Sequence, residues 1–208
     1  MITLDTIAAR LRAHEPERHT PGPRTRQAAV AIILCGSGAG GRDAERDIQV
    51  GFIQRAMRDG DPWSAQMAFP GGHRDPEDAD LKAAAVRETR EEIGVDLSVA
   101  DYYGSIDQTH AMPRGRNIDM IVEPHVFQLP QVPDSTPNYE VAEVVWAPLG
   151  DLMGNRWHDT ETRPMNGTPT TFNGYRLPRG HFVWGLTYRM LKGFFTLIDP
   201  DWPLPPEL

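Results

Sequence analysis

The spacing of apolar residues predicts helices near both ends of the chain. Apolar side chains recur at helical intervals from Leu4 to Leu11, so a first helix is expected over about residues 4–15, before Pro16. A final helix is expected over about residues 185–197. Its inward-facing side chains are predicted to be Leu186, Met190, Phe194 and Leu197, while Trp184 and Tyr188 are expected in the core.

Between these helices, short apolar runs rich in β-branched residues predict strands. The segments expected to be extended are residues 27–35, 48–55, 97–107, 118–129 and 140–147. Residues 148–153 are predicted to form a short helix, 155–167 a polar, exposed stretch and 168–177 a hairpin, while the glycine-rich residues 36–46 are predicted to form a mobile loop. Strands with helices on either side favour an α/β fold, an α/β/α sandwich around a mixed sheet, formed by one domain over residues 1–208.

A third helix is expected after a double glycine, and it concentrates negative charge. Asp78 or Asp80 is suited to cap its start, and Gly94 to end it in the left-handed conformation. Glu88, Glu91 and Glu92 lie three and four residues apart, so their carboxylates share a face. Such a face is either a solvated surface or a set of hard oxygen ligands for Mg²⁺ or Mn²⁺.

Residues 72–95 resemble the Nudix box, Gly-x5-Glu-x7-Arg-Glu-U-x-Glu-Glu-x-Gly-U, in which U is aliphatic. The matching residues are Arg87, Glu88, Glu91, Glu92, Gly94 and Val95. Thr89 stands where an aliphatic residue is usual, and the interval from Gly72 to Arg87 is one residue longer than in the standard box, with Asp78 at its first acidic position. This longer form resembles the coenzyme A pyrophosphatase branch, and the Nudix resemblance implies the same α/β/α sandwich.

The resemblance implies a metal-dependent diphosphatase with Mg²⁺ or Mn²⁺ as cofactor. Glu88, Glu91 and Glu92 become the expected metal ligands, with the backbone carbonyl of Gly72 as a further one. Glu91, Glu92 and Arg87 form the expected catalytic set, in which Arg87 orients a glutamate. Family members differ in their general base, so this role stays open between a box glutamate and a later carboxylate. The later candidate is Glu140, whose alternative is a plain surface charge, ahead of Glu143 and Glu123.

The expected substrate is coenzyme A or an acyl-coenzyme A, cleaved to 3′,5′-ADP and a phosphopantetheine. Arg55, Arg58 and Arg114 are the candidates for binding its phosphates, and His110 shares the Arg114 loop. The upstream motif of that branch is incomplete, because Arg58 has the wrong spacing and Ala65 replaces a glycine. ADP-ribose, NADH or an oxidised nucleotide therefore remain alternatives, as does a non-catalytic nucleotide-sensing module. Trp63 is either a stacking aromatic or an anchor for its loop.

Composition narrows the class of protein. The 208 residues are 39% hydrophobic and carry a net charge of −8, which is typical of a soluble globular protein and argues against a nucleic-acid partner. The longest apolar run, residues 28–35, is too short to cross a membrane, and the start of the chain has no signal-peptide pattern. The single Cys35 fits a reducing compartment, so a cytoplasmic location is expected. The expected partner is a small-molecule nucleotide, and a homodimer is compatible with the sequence.

Overall fold

The computed structural model describes residues 2–36, 48–60, 63–111, 119–165 and 167–207. Most of the predicted 36–46 loop, Arg114 and the first residue of the predicted 118–129 strand lie outside these ranges. The helices are α1 (Leu4–Ala13), α2 (Leu81–Ile93), α3 (Leu149–Met153) and α4 (Gly185–Ile198), and 3₁₀ turns cover Leu97–Val99 and Pro178–Gly180. These bounds confirm the expected first, box, short and final helices. Among the described residues, no helix is both long and apolar enough to span a bilayer.

Eight strands form one mixed sheet. They are β1 (Arg26–Cys35), β2 (Gln49–Arg55), β3 (Met67–Ala68), β4 (Gly71–His73), β5 (Asp101–Ser105), β6 (Thr109–Ala111), β7 (Met120–Leu129) and β8 (Val141–Pro148). The sheet runs in the order β3-β2-β1-β7-β5, while β4 pairs with β1, β6 with β7 and β8 with β2. Only the β1–β7 pairing is parallel among these described strands. The predicted mixed sheet is therefore confirmed.

Alternating side chains of β1 supply two hydrophobic cores, one on each face of the sheet. Ala31 and Ile33 belong to the core that contains Ala84 and Ala85 of α2. Ile32 and Leu34 belong to the other core, which contains side chains of α1 and α4 such as Ile7 and Phe194. Because strand side chains alternate between faces, this division places α2 on one side and α1 and α4 on the other. The predicted α/β/α sandwich is confirmed.

A second, three-stranded antiparallel sheet was only partly anticipated. Its strands are β9 (His158–Met165), β10 (Thr168–Arg176) and β11 (Phe182–Trp184), in the order β11-β10-β9. The hairpin predicted within residues 168–177 is wrong, because those residues form one strand that pairs with β9 and β11. The stretch 155–167, predicted to be polar and exposed, is polar but contains β9. Cross-strand polar contacts join β9 to β10, such as Thr162 with Thr171, so the usual apolar alternation is missing.

Two further predictions need correction. The strand predicted over residues 97–107 begins only at Asp101, because Asp96 accepts a hydrogen bond from the Ser98 N–H at 2.9 Å and caps a 3₁₀ turn. Trp184 was expected in the core, but it is only partly buried at the end of β11. Tyr188, Met190 and Phe194 are buried as predicted, and Leu186 and Leu197 are partly buried against the same core.

Candidate active site

Helix α2 holds the three box glutamates in different environments. Asp80 caps the helix by accepting a hydrogen bond from Ala83 N–H at 2.8 Å, and Gly94 ends it with φ of 72°. The Glu92 residue is 2% exposed, whereas the side chains of Glu88 and Glu91 are 18% and 56% exposed. Because Glu92 is inside the protein, a wholly solvated acidic face does not describe this helix.

The double glycine lets the backbone approach two of these carboxylates. Gly71 N–H donates a hydrogen bond of 2.8 Å to Glu92 Oε2. A Cβ atom on Gly71 would lie 2.2 Å from the carbonyl oxygen of Ala29 in β1, and Gly71 has φ of 146°. A Cβ atom on Gly72 would lie 2.5 Å from the carboxyl carbon of Glu88. Only glycine fits both positions without displacing a neighbour.

Arg87 joins the box loop to the helix. Its Nε and Nη2 atoms donate to Asp78 Oδ1 and Oδ2 at 3.1 and 2.9 Å, and Nη2 also donates to the His73 carbonyl at 2.9 Å. Its Nη1 atom lies 3.1 Å from both Glu88 Oε1 and Glu91 Oε2. The buried Asp78 also accepts the Asp75 N–H at 2.8 Å. Such a two-pronged pair fixes the guanidinium, which then positions the two glutamates.

Burial raises the pKa values of two carboxyl groups at the site. It raises the pKa of Glu92 to about 7, although the Gly71 hydrogen bond and the Arg55 charge act in the opposite direction. Burial also raises the pKa of Glu88, against the effect of Arg87. The pKa of Asp78 is lowered, chiefly by its hydrogen bonds with Arg87. Two neighbouring carboxyl groups with raised pKa values form a place where a cation would be stabilised.

The residues fit a hard divalent cation. Their donors are carboxylate and carbonyl oxygens, the ligand type that Mg²⁺ and Mn²⁺ favour. Within the described ranges, no three His, Cys, Asp or Glu side chains already surround one point. Glu88 Oε1 and Glu91 Oε2 face Arg87, so an ion bound here would use the other oxygen of each carboxylate or displace Arg87.

Three further predicted residues lie at the same site. The Glu92 carbonyl accepts a hydrogen bond of 2.8 Å from the N–H of Asn138, two residues before Glu140, and Glu140 Oε1 accepts one of 2.7 Å from Arg58 Nη1. Arg58 also stacks over the ring of Tyr139 at 4.8 Å. Arg55, at the end of β2, lowers the pKa of Glu92 through its positive charge. The ends of β2 and β8 thus bring Arg55, Arg58 and Glu140 to the box.

The remaining candidates have other contacts. Glu143 forms ion pairs with Arg179 and His181, the latter at 3.0 Å. The buried Glu123 accepts a hydrogen bond of 2.6 Å from Gln108. The ring of His110 packs against that of His19, with a centroid separation of 4.4 Å. Trp63 is partly buried against the core and also lines a cavity.

Sequence reasoning missed the backbone donor of the site. The hydrogen bond from Gly71 N–H to Glu92 joins the loop to the helix. A pattern of side chains does not predict which backbone N–H will contact a carboxylate. The double glycine was the available signal, because consecutive glycines permit close backbone approach. Sequence reasoning also missed Tyr139, whose ring lies under Arg58, because no motif or spacing singles it out.

Comparison with known proteins decides the family. The NUDIX domain family matches residues 25–165, which is most of the chain and contains the whole box. The chain belongs to the Nudix family. This Nudix protein is 34% identical over 149 residues to an uncharacterised protein of Schizosaccharomyces pombe, covering 65% of the chain but only 45% of that relative. It is 27% identical to the uncharacterised Nudix hydrolase NudL of Cronobacter sakazakii, over 92% of both chains.

Solved structures agree on the fold. The crystal structure of a MutT/nudix family protein from Enterococcus faecalis superposes with a TM-score of 0.53 at 16% identity, over 90% of this chain and 66% of that one. Together with the domain match, the relatives identify the chain as a Nudix pyrophosphohydrolase, which hydrolyses a pyrophosphate bond in nucleoside diphosphate derivatives. Enzymes of this family generally use divalent metal ions.

Proposed function

We propose that this Nudix hydrolase, folded as one domain over residues 1–208, cleaves coenzyme A or an acyl-coenzyme A to 3′,5′-ADP and a phosphopantetheine. The observation that carries the proposal is the role of Asp78 in the lengthened box. Asp78 is buried and binds Arg87 through both of its oxygens, so the acidic position of the lengthened box is part of the site's framework. That lengthened, Asp-bearing box is the feature that resembles the coenzyme A branch.

The proposed metal ligands are Glu88, Glu91, Glu92 and the Gly72 carbonyl. A bound Mg²⁺ or Mn²⁺ would neutralise the diphosphate oxygens and acidify a coordinated water. Arg87 contacts Glu88 and Glu91 directly, so its part is to position them for the ion. The buried Glu92 is held by the Gly71 N–H, which leaves its other oxygen for the ion.

The proposed base is Glu140. Water adds to one phosphorus, the bridging P–O bond breaks with its electron pair leaving on the departing phosphate, and the Glu140 carboxylate accepts the proton of the water. Arg58 Nη1 lies 2.7 Å from Glu140 Oε1. Arg58 is suited to move onto a substrate phosphate, which would free the Glu140 carboxylate to accept the proton. Arg55 and Arg114 are the other proposed phosphate-binding residues.

A substrate panel tests the proposal. Purified enzyme with Mg²⁺ or Mn²⁺ is given coenzyme A, acetyl-coenzyme A, 3′-dephospho-coenzyme A, ADP-ribose and NADH, and products are resolved by ion-exchange chromatography. We expect coenzyme A or its acyl ester to give the highest kcat/KM. Indifference to the 3′-phosphate with faster turnover of ADP-ribose would assign the site to that alternative. Tight nucleotide binding with no turnover of any compound would instead identify a sensor.

Glutamine substitutions test the residues. Glu91→Gln and Glu92→Gln each retain shape and remove a charge, and we expect turnover to fall about a hundredfold or more. Glu77→Gln is the matched control, because Glu77 is an exposed acid in the box loop before α2. Near-normal turnover of both variants at saturating metal would contradict the assigned site.

A further inference from the structure

A cavity outside the box lies between the three-stranded sheet and the start of α4. Its volume of about 620 Å³ falls in the range of small-molecule sites. Trp63, Phe172 and Trp184 contribute aromatic rings to its lining, Arg189 and Lys192 contribute cations, and Glu207 contributes one carboxylate. The box glutamates are not part of this lining. An aromatic cavity with positive charge suits a ligand that has both a flat ring and an anionic group.

The aromatic side chains come from separate parts of the chain. Trp63 precedes β3, Phe172 lies in β10, and Trp184 ends β11. The rings of Phe172 and Trp184 have centroids 4.6 Å apart and are tilted by 56°, so together they form a corner instead of a filled stack. Trp63 lies between Arg58 and Ala65, the two positions at which the chain departs from the upstream coenzyme A motif. The departure from that motif therefore supplies an aromatic wall.

The cations lie one turn apart on α4. Arg189 is exposed and donates one hydrogen bond, from Nη2 to the His110 carbonyl at 2.8 Å. Lys192 pairs with Glu207 and lies 5.0 Å above the ring of Tyr188. A guanidinium has five N–H donors, so Arg189 retains the capacity to bind a phosphate while holding the His110 carbonyl.

The cavity adjoins the box through Gln66. This residue lines the cavity, and its carbonyl accepts a hydrogen bond of 3.0 Å from Arg55 N–H. Arg55 in turn acts electrostatically on Glu92. Gln66 and Gly71 are five residues apart, so their Cα atoms are separated by at most about 17 Å. A single extended nucleotide can therefore reach from the cavity to the carboxylates.

We infer that the cavity lined by Trp63, Phe172, Trp184 and Asn173 holds the adenine base of the substrate, with its 3′-phosphate on Arg189. This inference rests on the proposed function, since it assigns one end of a 3′-phosphorylated adenine nucleotide. The diphosphate then extends past Gln66 and Arg55 towards Glu92. Selection for coenzyme A would be carried by this cavity and the phosphate-binding Arg189.

Binding of the product 3′,5′-ADP tests the inference without hydrolysis. Calorimetry with the full-length protein should show that Trp63→Leu weakens 3′,5′-ADP binding about tenfold, the size expected for loss of one stacked ring. Trp63→Phe should restore most of the affinity. Arg189→Gln should weaken 3′,5′-ADP about tenfold but leave 5′-AMP nearly unchanged, since only the former has a 3′-phosphate. Arg10→Gln, an exposed cation of α1 outside the lining, is the control.

The outcomes separate the two proposals. Unchanged 3′,5′-ADP affinity in Arg189→Gln and in a folded Trp63 variant would overturn the cavity assignment, even if coenzyme A is hydrolysed. Should Trp63→Leu fail to fold, the difference between 3′,5′-ADP and 5′-AMP in Arg189→Gln decides the question alone, because that residue is exposed. Affinity that depends on Trp63 and Arg189, in an enzyme that leaves coenzyme A intact, would uphold the cavity and reject the proposed reaction.

Discussion

At the scale of single residues, burial of the ionised Glu92 carboxylate is the main electrostatic cost of the site. Its carboxyl group is almost fully buried, and the hydrogen bond from Gly71 N–H offsets only part of the lost hydration. The pKa of about 7 exceeds the usual value of 4.5, so the folded protein holds this proton more tightly than the unfolded chain does. Stability from this group is therefore greatest at low pH and is lost as pH rises through about 7.

The Glu92→Gln substitution should stabilise the chelator-treated protein at alkaline pH. Glutamine keeps an acceptor for Gly71 N–H but removes the buried charge, so we expect the free energy of unfolding at pH 8 to rise by about 2 kcal/mol. The gain should shrink towards pH 5, because there the folded protein already holds the Glu92 carboxyl group in its neutral form. Urea denaturation across this range measures it. Glu91→Gln, at a mostly exposed side chain, should show no such pH dependence.

Arg87→Lys should reduce activity about tenfold to a hundredfold, the usual effect of changing a residue that positions metal ligands. Lysine keeps the charge but cannot make the two-pronged contact with Asp78 while reaching Glu88 and Glu91. Steady-state kinetics at several metal concentrations should show weaker apparent metal binding.

The exposed Arg90 of the same helix is the control for Arg87, and Arg90→Lys should behave like the wild type. Asp78→Asn combined with Arg87→Lys should cost less than the sum of the single changes, because both remove one contact. Strict additivity in this double-mutant cycle would contradict the coupling of Asp78 with Arg87.

At the scale of elements, the Gly71-Gly72 turn is where the sheet meets α2. The two glycines face different obstacles, one from the backbone of β1 and one from the Glu88 side chain. A backbone atom cannot move out of the way cheaply, whereas the end of a flexible side chain can. The two positions should therefore respond differently to the same added methyl group.

Gly71→Ala should destabilise the protein by about 3 kcal/mol, because alanine would be strained at this positive φ and would meet the Ala29 carbonyl. Gly72→Ala should leave the fold largely intact but displace Glu88, so activity should fall about tenfold or more. Thermal melts and turnover, measured together, distinguish the two effects.

Gly193 provides the reference for an alanine that fits. It lies in α4, and a Cβ atom there would meet no described atom within 4 Å. Gly193→Ala should therefore stabilise the protein by about 0.5–1 kcal/mol with unchanged turnover. If Gly72→Ala were as silent in activity as Gly193→Ala, the packing of Glu88 against the loop would not matter for catalysis.

At the scale of the whole molecule, metal binding should be coupled to folding. The proposed ligands converge only when the box loop and α2 are packed together, so Mg²⁺ should favour the folded state. At about a hundredfold excess over its dissociation constant, the ion would add about 2.7 kcal/mol. The increase in Tm should be larger at pH 8 than at pH 6, because the proton on Glu92 competes with the ion.

The pH-dependent part of this metal effect should disappear in Glu92→Gln, whose site has no competing proton at this position. Differential scanning fluorimetry with and without Mg²⁺, at both pH values, measures it. An equal Tm increase in the wild type at pH 6 and pH 8 would show that Glu92 does not bind the ion.

The sequence by itself determined the helices, the longer strands of the mixed sheet and the order of residues in the box. Apolar spacing located α1 and α4, and β-branched runs located β1 and β7, because burial on one face or both leaves a period in the chain. The capping residues and the double glycine located α2. The order of residues 72–95 indicated the three glutamates, since a helix places residues three and four apart together. Both kinds of information are local, so no tertiary contact was needed to read them.

Only the tertiary structure decided which carboxylate is buried, what Arg87 contacts and where the cavity beside α4 lies. Glu88, Glu91 and Glu92 read alike in the sequence, yet their exposure differs because the glycine loop packs over one side of α2. The β9–β11 sheet is joined largely by polar cross-strand contacts and leaves no apolar period. Its cavity joins Trp63 to residues more than a hundred positions away, and such long-range contacts have no signature in the local sequence.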